Sequence, residues 1–173
     1  MSSRMNGHER TAYLGLGGNI GDVKITMAAA LQGLDAMDEI DVVAVSSLYK
    51  TPPWGMEDQP WFLNCCAEIT TSLEPEALLD ACQSMERAGK RERTTRWGPR
   101  TIDVDILVFE GHEQVEQRLT IPHPRILERA FVLIPLAEIA PELEFKGEKI
   151  KTLASTIPGE GIKHLYTKPD WWR

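Results

Sequence analysis

No apolar run in this sequence approaches the length of a membrane span, and the polar stretch Met1 to Arg10 holds no apolar core of a secretory leader. No membrane partner and a cytoplasmic setting are therefore expected. Cysteine is scarce: Cys65, Cys66 and Cys82 form neither an even disulfide framework nor a metal-binding spacing. Buried free thiols in a reducing compartment follow. A basic excess is missing too, since the formal charge is −7, which argues against a general nucleic-acid binder. Repeats, low-complexity tracts and linkers are absent. The 173 residues read as a flexible tail over 1–10 followed by a single domain over 11–173, acting as a monomer. The break Gly17-Gly18-Asn19-Ile20-Gly21-Asp22 lacks the Lys-Ser/Thr of a Walker-type loop. It reads better as a tight turn in which Asp22 caps the next helix.

What the sequence does have is concentrated between Lys90 and Phe109. Residues 90–100 carry five cations and one anion, with Trp97 and a Gly98-Pro99 break, and read as a cationic loop. From Thr101 the β-branched residues alternate as in a strand. Asp103 and Asp105 then share one face while Ile102, Val104 and Ile106 share the other. Two carboxylates side by side repel unless a cation sits between them. Magnesium takes one or two protein carboxylates together with phosphate oxygens, and arginine matches phosphate with a planar fork of donors. The pair of features points to a metal-bound polyphosphate. A lone Asp-x-Asp also occurs on ordinary half-exposed strands and in many glycosyltransferases, so a sugar-nucleotide transferase remains a rival. Like charges crowded into residues 90–99 predict a mobile segment that closes on its ligand, with Trp97 over the site.

Elsewhere the patterns are ordinary. Thr11–Gly17 reads as a strand and Lys24–Met37 as a helix. Ile40–Tyr49 reads as a second strand, followed by a loop holding Trp54 and Trp61, two tryptophans that either cap the core or serve a ligand. Phe62–Thr71 returns antiparallel as a third strand. A helix opens at Pro75 and places Gln83 and Glu86 on one face. Val115–Ile121 reads as a hairpin arm, and Ile126–Glu138 as one further helix. The remainder has weak periodicity and an exposed-looking Trp171-Trp172 terminus. The expected fold class is α+β, a ferredoxin-like βαββαβ sandwich with an added hairpin and C-terminal helix. RNA-binding modules share that topology, so the fold alone decides no function.

The run Arg96-Trp97-Gly98-Pro99-Arg100-Thr101-Ile102-Asp103-Val104-Asp105-Ile106-Leu107 resembles the signature of 6-hydroxymethyl-7,8-dihydropterin pyrophosphokinases. Leu16-Gly17-Gly18-Asn19, Ser46 to Pro53, Phe62-Leu63-Asn64 and Leu119 to Pro124 resemble that family's other blocks in the same order. The likeness runs from about Thr11 to Leu143. Gly18 departs from it, standing where the family commonly shows serine.

The resemblance implies transfer of the β,γ-pyrophosphoryl group of ATP to the hydroxymethyl oxygen of a dihydropterin, leaving AMP. It implies that Asp103 and Asp105 hold two magnesium ions and that Arg91 and Arg100 join them in catalysis. Arg91, Arg96, Arg100, His123 and Arg129 would surround the phosphates. Gln83, Glu86, Trp97, Ile106, Arg118 and Thr120 would complete the ATP site. The pterin pocket would comprise Thr51, Pro52, Pro53, Trp54, Gly55, Phe62, Asn64 and Phe131, with the ring between Phe62 and Phe131.

Overall fold

The computed structural model describes residues 9–53, 58–89, 101–159, 161–165 and 167–173. Burial alternates along strand β1 (Arg10–Gly18), which sends Ala12, Leu14 and Leu16 into a core on one face. Helix α1 (Val23–Asp35) follows; Asp22 caps it as expected, its carboxylate accepting from the Ile25 amide at 3.2 Å. Next come β2 (Ile40–Val45), β3 (Leu48–Thr51) and β4 (Phe62–Thr71), then helix α2 (Pro75–Gly89) and β5 (Asp103–Phe109). Beyond them lie a small hairpin of β6 (Gln114–Val115) and β7 (Thr120–Ile121), a 3-10 turn (Ile126–Glu128) and helix α3 (Ala130–Ile139). A second small hairpin, β8 (Glu144–Phe145) and β9 (Glu148–Lys149), leads to α4 (Ile150–Thr156) and β10 (Lys163–Leu165).

The main sheet has the order β10-β3-β4-β1-β5, with β2 also pairing with β4, and every pairing is antiparallel. This is the ferredoxin-like α+β arrangement that the sequence led us to expect. Helices α1 and α2 cover one face through Met27, Leu31, Leu34, Leu78 and Cys82. Helix α3 packs on the opposite face through Val132, Leu133 and Leu136, against Cys66 and Leu107. The β1–β5 register jumps from Tyr13↔Val108 to Leu14↔Ile106, so Leu107 is a bulged residue. The bulge lets Leu107 and Val108 both join the hydrophobic cluster on the α3 side of the sheet.

Several expectations need correction. The strand foreseen over Ile40–Tyr49 is two strands, because the chain kinks at Ser46. The Ser46 amide donates to the Cys66 carbonyl and its hydroxyl accepts from the Cys66 amide, both at 2.9 Å, so the ladder of β4 is kept across the break. Residues 115–121 fold back on themselves as β6–β7. The helix foreseen over 126–138 is a 3-10 turn and a separate α-helix, because Arg129 is extended at φ −117°, ψ 98°. Arg10 belongs to β1, with an ion pair to Glu74 at 3.1 Å, so the tail ends before it. Trp172 is only 3% exposed and packs into the α1 core. The Trp171 indole donates to the Ser46 carbonyl at 2.9 Å, and Gln32 donates to the Trp172 carbonyl at 2.7 Å. Weak periodicity in the last thirty residues hid these contacts, since each one is made with residues more than a hundred positions away.

Candidate functional site

Two glycines and two aspartates face each other across the central strands. In the β1–β5 register Gly15 lies opposite Asp105, and Gly17 opposite Asp103. Across β1 in the other direction Gly17 lies opposite Asn64 and Gly15 opposite Cys66. The face that α3 only partly covers thus carries a cross-sheet row of Asn64, Gly17 and Asp103. Without side chains at Gly15 and Gly17, a hollow opens on this face between β4 and β5.

That hollow is a cavity of about 330 Å³, within the range of small-molecule sites. Gly15 and Gly17 form its floor. Thr51, Pro52, Phe62 and Asn64 line one side and Asp103 and Asp105 the other. Arg129, Phe131 and Val132, at the start of α3, close over it. Asn64 is 8% exposed, and its Nδ2 donates to Thr51 Oγ1 at 2.9 Å. A Cβ on Gly17 would lie 2.5 Å from Asn64 Oδ1, so only glycine leaves that amide where it is. Asn19, 3% exposed, donates to Gln59 Oε1 and to the Pro60 carbonyl, each at 3.0 Å, tying the end of β1 to the approach to Phe62.

The helix end supplies charge. The Arg129 guanidinium lies 5.6 Å from the Phe131 ring, and Arg125 and Glu128 also border the cavity. The N-terminus of α3 points its positive dipole end toward the cavity, a setting that favours anions, although the Val132 and Leu133 amides are bound to the Arg129 carbonyl, each at 3.0 Å. At the other end of α3, Glu138 fastens the helix to β3: Tyr49 Oη donates to Glu138 Oε1 at 2.6 Å and the Ser47 amide to Glu138 Oε2 at 2.8 Å. Burial and that carboxylate push the Tyr49 phenol well above its usual range.

Of the residues picked out from the sequence, Thr51, Pro52, Phe62, Asn64, Asp103, Asp105, Arg129 and Phe131 meet at this cavity. Pro53 adjoins Pro52 in the chain but is not among the lining residues. Trp54, Gly55 and the whole loop Lys90–Arg100, with Arg91, Arg96, Trp97 and Arg100, lie outside the described residues, as does the closure foreseen for residues 90–99. Thr120 and His123 border a separate open groove beyond β5. Ile106 is 3% exposed with its side chain in the α1–α2 core, which leaves only its main chain to meet a ligand. Glu86 accepts from the Val104 amide at 3.0 Å and so caps the open edge of β5. Gln83 is half-buried on the same helix. Arg118 is held by Glu76 at 2.8 Å and by Asp80, locking the β6–β7 hairpin to α2. In this conformation it is an ion-pair latch rather than a group at the cavity.

Gly15, Gly17, Arg125 and Glu128 were not picked out as site residues. Glycine at alternate positions of a strand was the available signal, because such residues must share a face. The cysteines are buried free thiols, as expected. Burial pushes all three up, Cys82 to about 12, so none is a nucleophile at neutral pH. Trp61 neither caps the core nor lines the cavity. It is 37% exposed, with Lys50 and Lys163 at 5.3 and 5.2 Å from its ring.

The donor set can be tested against magnesium. Among the described residues no group of three or more His, Cys, Asp or Glu side chains could hold a metal. Two carboxylates on one strand face, beside an open floor, suit an ion that completes its shell with phosphate oxygens and water. They do not suit zinc, which takes three or four protein ligands.

A family model described as 7,8-dihydro-6-hydroxymethylpterin-pyrophosphokinase matches residues 13–141. A 2-amino-4-hydroxy-6-hydroxymethyldihydropteridine pyrophosphokinase of Methylorubrum extorquens is 49% identical over 154 residues, 89% of this chain and 98% of its own. A protein of the same name from Bacillus subtilis is 45% identical over 141 residues, 82% of this chain and 84% of its own. Among solved structures, a Plasmodium falciparum HPPK-DHPS aligns with a TM-score of 0.75 at 16% identity. That alignment covers 95% of this chain and 50% of the other, so the chain spans about half the length of that protein.

Proposed function

The chain belongs to the 7,8-dihydro-6-hydroxymethylpterin-pyrophosphokinase family and transfers pyrophosphate from ATP to hydroxymethyldihydropterin in folate biosynthesis, and from that premise we propose how its residues divide the work. The pterin lies in the cavity over Gly15 and Gly17, with its polar edge on Asn64 and the Thr51 side and its faces against Phe62 and Phe131. Each aromatic pair contributes roughly 0.5–1.5 kcal/mol beyond area burial. Asn64 offers a donor and an acceptor to a heterocycle edge. The triphosphate runs from Arg129 past Asp103 and Asp105 to the open edge of β5, where the main chain of Ile106 and the flanking Gln83, Glu86 and Thr120 receive the nucleoside. Arg91, Arg96 and Arg100 complete the phosphate site with His123, Trp97 closes over it, and Arg118 reaches it by leaving its latch. Pro53, Trp54 and Gly55 complete the pterin pocket.

In the reaction the hydroxymethyl oxygen attacks the β-phosphorus and its proton is released to solvent. The bond from that phosphorus to the oxygen bridging the α-phosphate breaks, and AMP departs with that oxygen. Two magnesium ions held by Asp103 and Asp105 would supply neutralisation of the phosphate charge and a template for the triphosphate. The protein's own part is positioning and electrostatic stabilisation, which this chemistry demands more than a strong base. The observation that carries the reading is the glycine floor with Asn64 on one side and the aspartate pair on the other. Incubation with ATP, magnesium and the pterin alcohol should yield AMP and the pterin diphosphate. ADP with inorganic phosphate, or consumption of a sugar nucleotide, would overturn it.

We also infer a cytoplasmic monomer in which residues 10–173 work as one unit, without nucleic-acid or membrane partners. The negative charge and three free buried cysteines support this, as does the lack of any helix long and apolar enough to cross a membrane among the described residues.

His123 gives this placement a pH signature. Burial first, then Arg129 and Arg125, hold its imidazole below the usual range, and Nδ1 accepts from the Arg125 amide at 3.2 Å. The fold therefore favours the neutral ring. Its contribution to stability is full above the unfolded value, about 6.5, and is lost as pH falls through the lowered folded value. A bound triphosphate reverses the field and draws a proton onto the ring. ATP affinity should then rise by about threefold to tenfold as pH falls from 8 to 6, one pKa unit being worth roughly tenfold. His123→Gln should remove most of that slope. Calorimetry in two buffers of different ionisation enthalpy measures the proton uptake. An identical uptake in wild type and variant would remove His123 from the phosphate site.

A further inference from the structure

We propose that the C-terminal segment Gly161–Leu165 is a positioning element of the pterin site, holding Thr51-Pro52 and the approach to Phe62 in place. It rests on the reading above that these residues receive the pterin. The segment falls outside the family match, which ends at residue 141, and nothing in its sequence marks it as part of a site.

Three contacts carry the argument. Gly161 sits at φ +83°, and a Cβ there would lie 3.2 Å from Pro52 Cγ and 3.5 Å from Cδ. Its backbone thus packs against the ring of a cavity residue, in a conformation that side chains rarely adopt. Strand β10 then pairs with β3, Lys163 opposite Lys50, His164 opposite Tyr49 and Leu165 opposite Leu48. Without it, the four residues of β3 would be an edge strand paired only with β4, free to fray at the end that carries Thr51. Finally, Lys163 and Lys50 lie on the Trp61 ring, which steadies the residue preceding Phe62. The His164 ring packs on Tyr49 at 5.0 Å, whose hydroxyl is bound to Glu138 of α3.

The segment therefore touches Pro52, β3 and Trp61, all on one side of the cavity, without lining it. Thr51 Oγ1 is the acceptor that orients the Asn64 amide, so a small displacement of β3 reaches the recognition group directly. Misplacement by about 1 Å can cost on the order of a hundredfold in an enzyme site, and a few tenths of an ångström correspondingly less.

The test compares Gly161→Ala and Gly161→Asn in the full chain, with Asn64→Ala as the reference variant. Pterin and ATP-analogue dissociation constants are measured by calorimetry and Tm by differential scanning. Asparagine tolerates positive φ better than alanine, so an effect shared by both variants reports the contact with Pro52 and not backbone strain. Both should weaken pterin binding by about tenfold and leave ATP-analogue binding within about twofold. Unchanged pterin affinity in both variants overturns the proposal. So does a loss confined to Gly161→Ala, or a parallel loss for both ligands together with a lower Tm. If Asn64→Ala itself binds pterin normally, the pterin reading fails and this inference falls with it. If Asn64→Ala loses pterin while the Gly161 variants keep it, this inference alone is wrong.

Discussion

Replacing Asp103 or Asp105 by alanine should lower kcat by about a thousandfold or more, on the order of 4 kcal/mol of barrier, with the fold intact. The two carboxylates stand opposite Gly17 and Gly15, so nothing on β1 occupies the space above them, and a metal-bound triphosphate fits there. Asp105 is exposed and Asp103 half-buried. Neither belongs to the core, and Tm should change little. Activity should depend on magnesium in the wild type, and raised magnesium should rescue neither variant fully. Steady-state rates of AMP formation across a magnesium series, with Tm as a control, decide the matter. Activity within about tenfold of wild type, only ~1.4 kcal/mol, would show that the carboxylates are not the metal site.

Asn64→Ala and Gly17→Ala should each raise the pterin dissociation constant by about thirtyfold or more and leave that of a non-hydrolysable ATP analogue within about threefold. Losing a buried hydrogen-bonding partner costs roughly 1–3 kcal/mol, and Asn64 serves both Thr51 and, in the proposed site, the pterin edge. Gly17→Ala reaches the same group indirectly. The added methyl would lie 2.5 Å from Asn64 Oδ1, so the amide must turn and release Thr51. Phe131→Ala should act in the same direction through lost stacking. Equal weakening for both ligands would mean that these residues support the fold and not recognition.

The residues behind these two expectations differ in how legible they were along the chain. Strand alternation alone puts Asp103 and Asp105 on one face, and the observed strand agrees. Phe62 and Asn64, two apart on β4, share a face for the same reason. Arg118 and Ile106 show the opposite case. Both were assigned to the ATP site by resemblance, yet the ion pairs of Arg118 with Glu76 and Asp80 join residues about forty positions apart. The burial of the Ile106 side chain depends on helices that pack from elsewhere in the chain.

The βαββαβ order up to β5 (apart from the split of β2 from β3), the paired carboxylates, the capping of α1 and the family could be read along the chain, because alternation, caps and short motifs are set by near neighbours. That Gly15 and Gly17 face the aspartates could not, since cross-strand register follows from where whole strands settle against their cores. The bracing of β3 by β10, the burial of Trp172 and the tie from Glu138 on α3 to β3 also emerged only in three dimensions. Those contacts join residues about 90 to 140 positions apart, and no local pattern encodes a partner at that distance. The cavity is the sum of such contacts: local chemistry chose the residues, and long-range pairing brought them together.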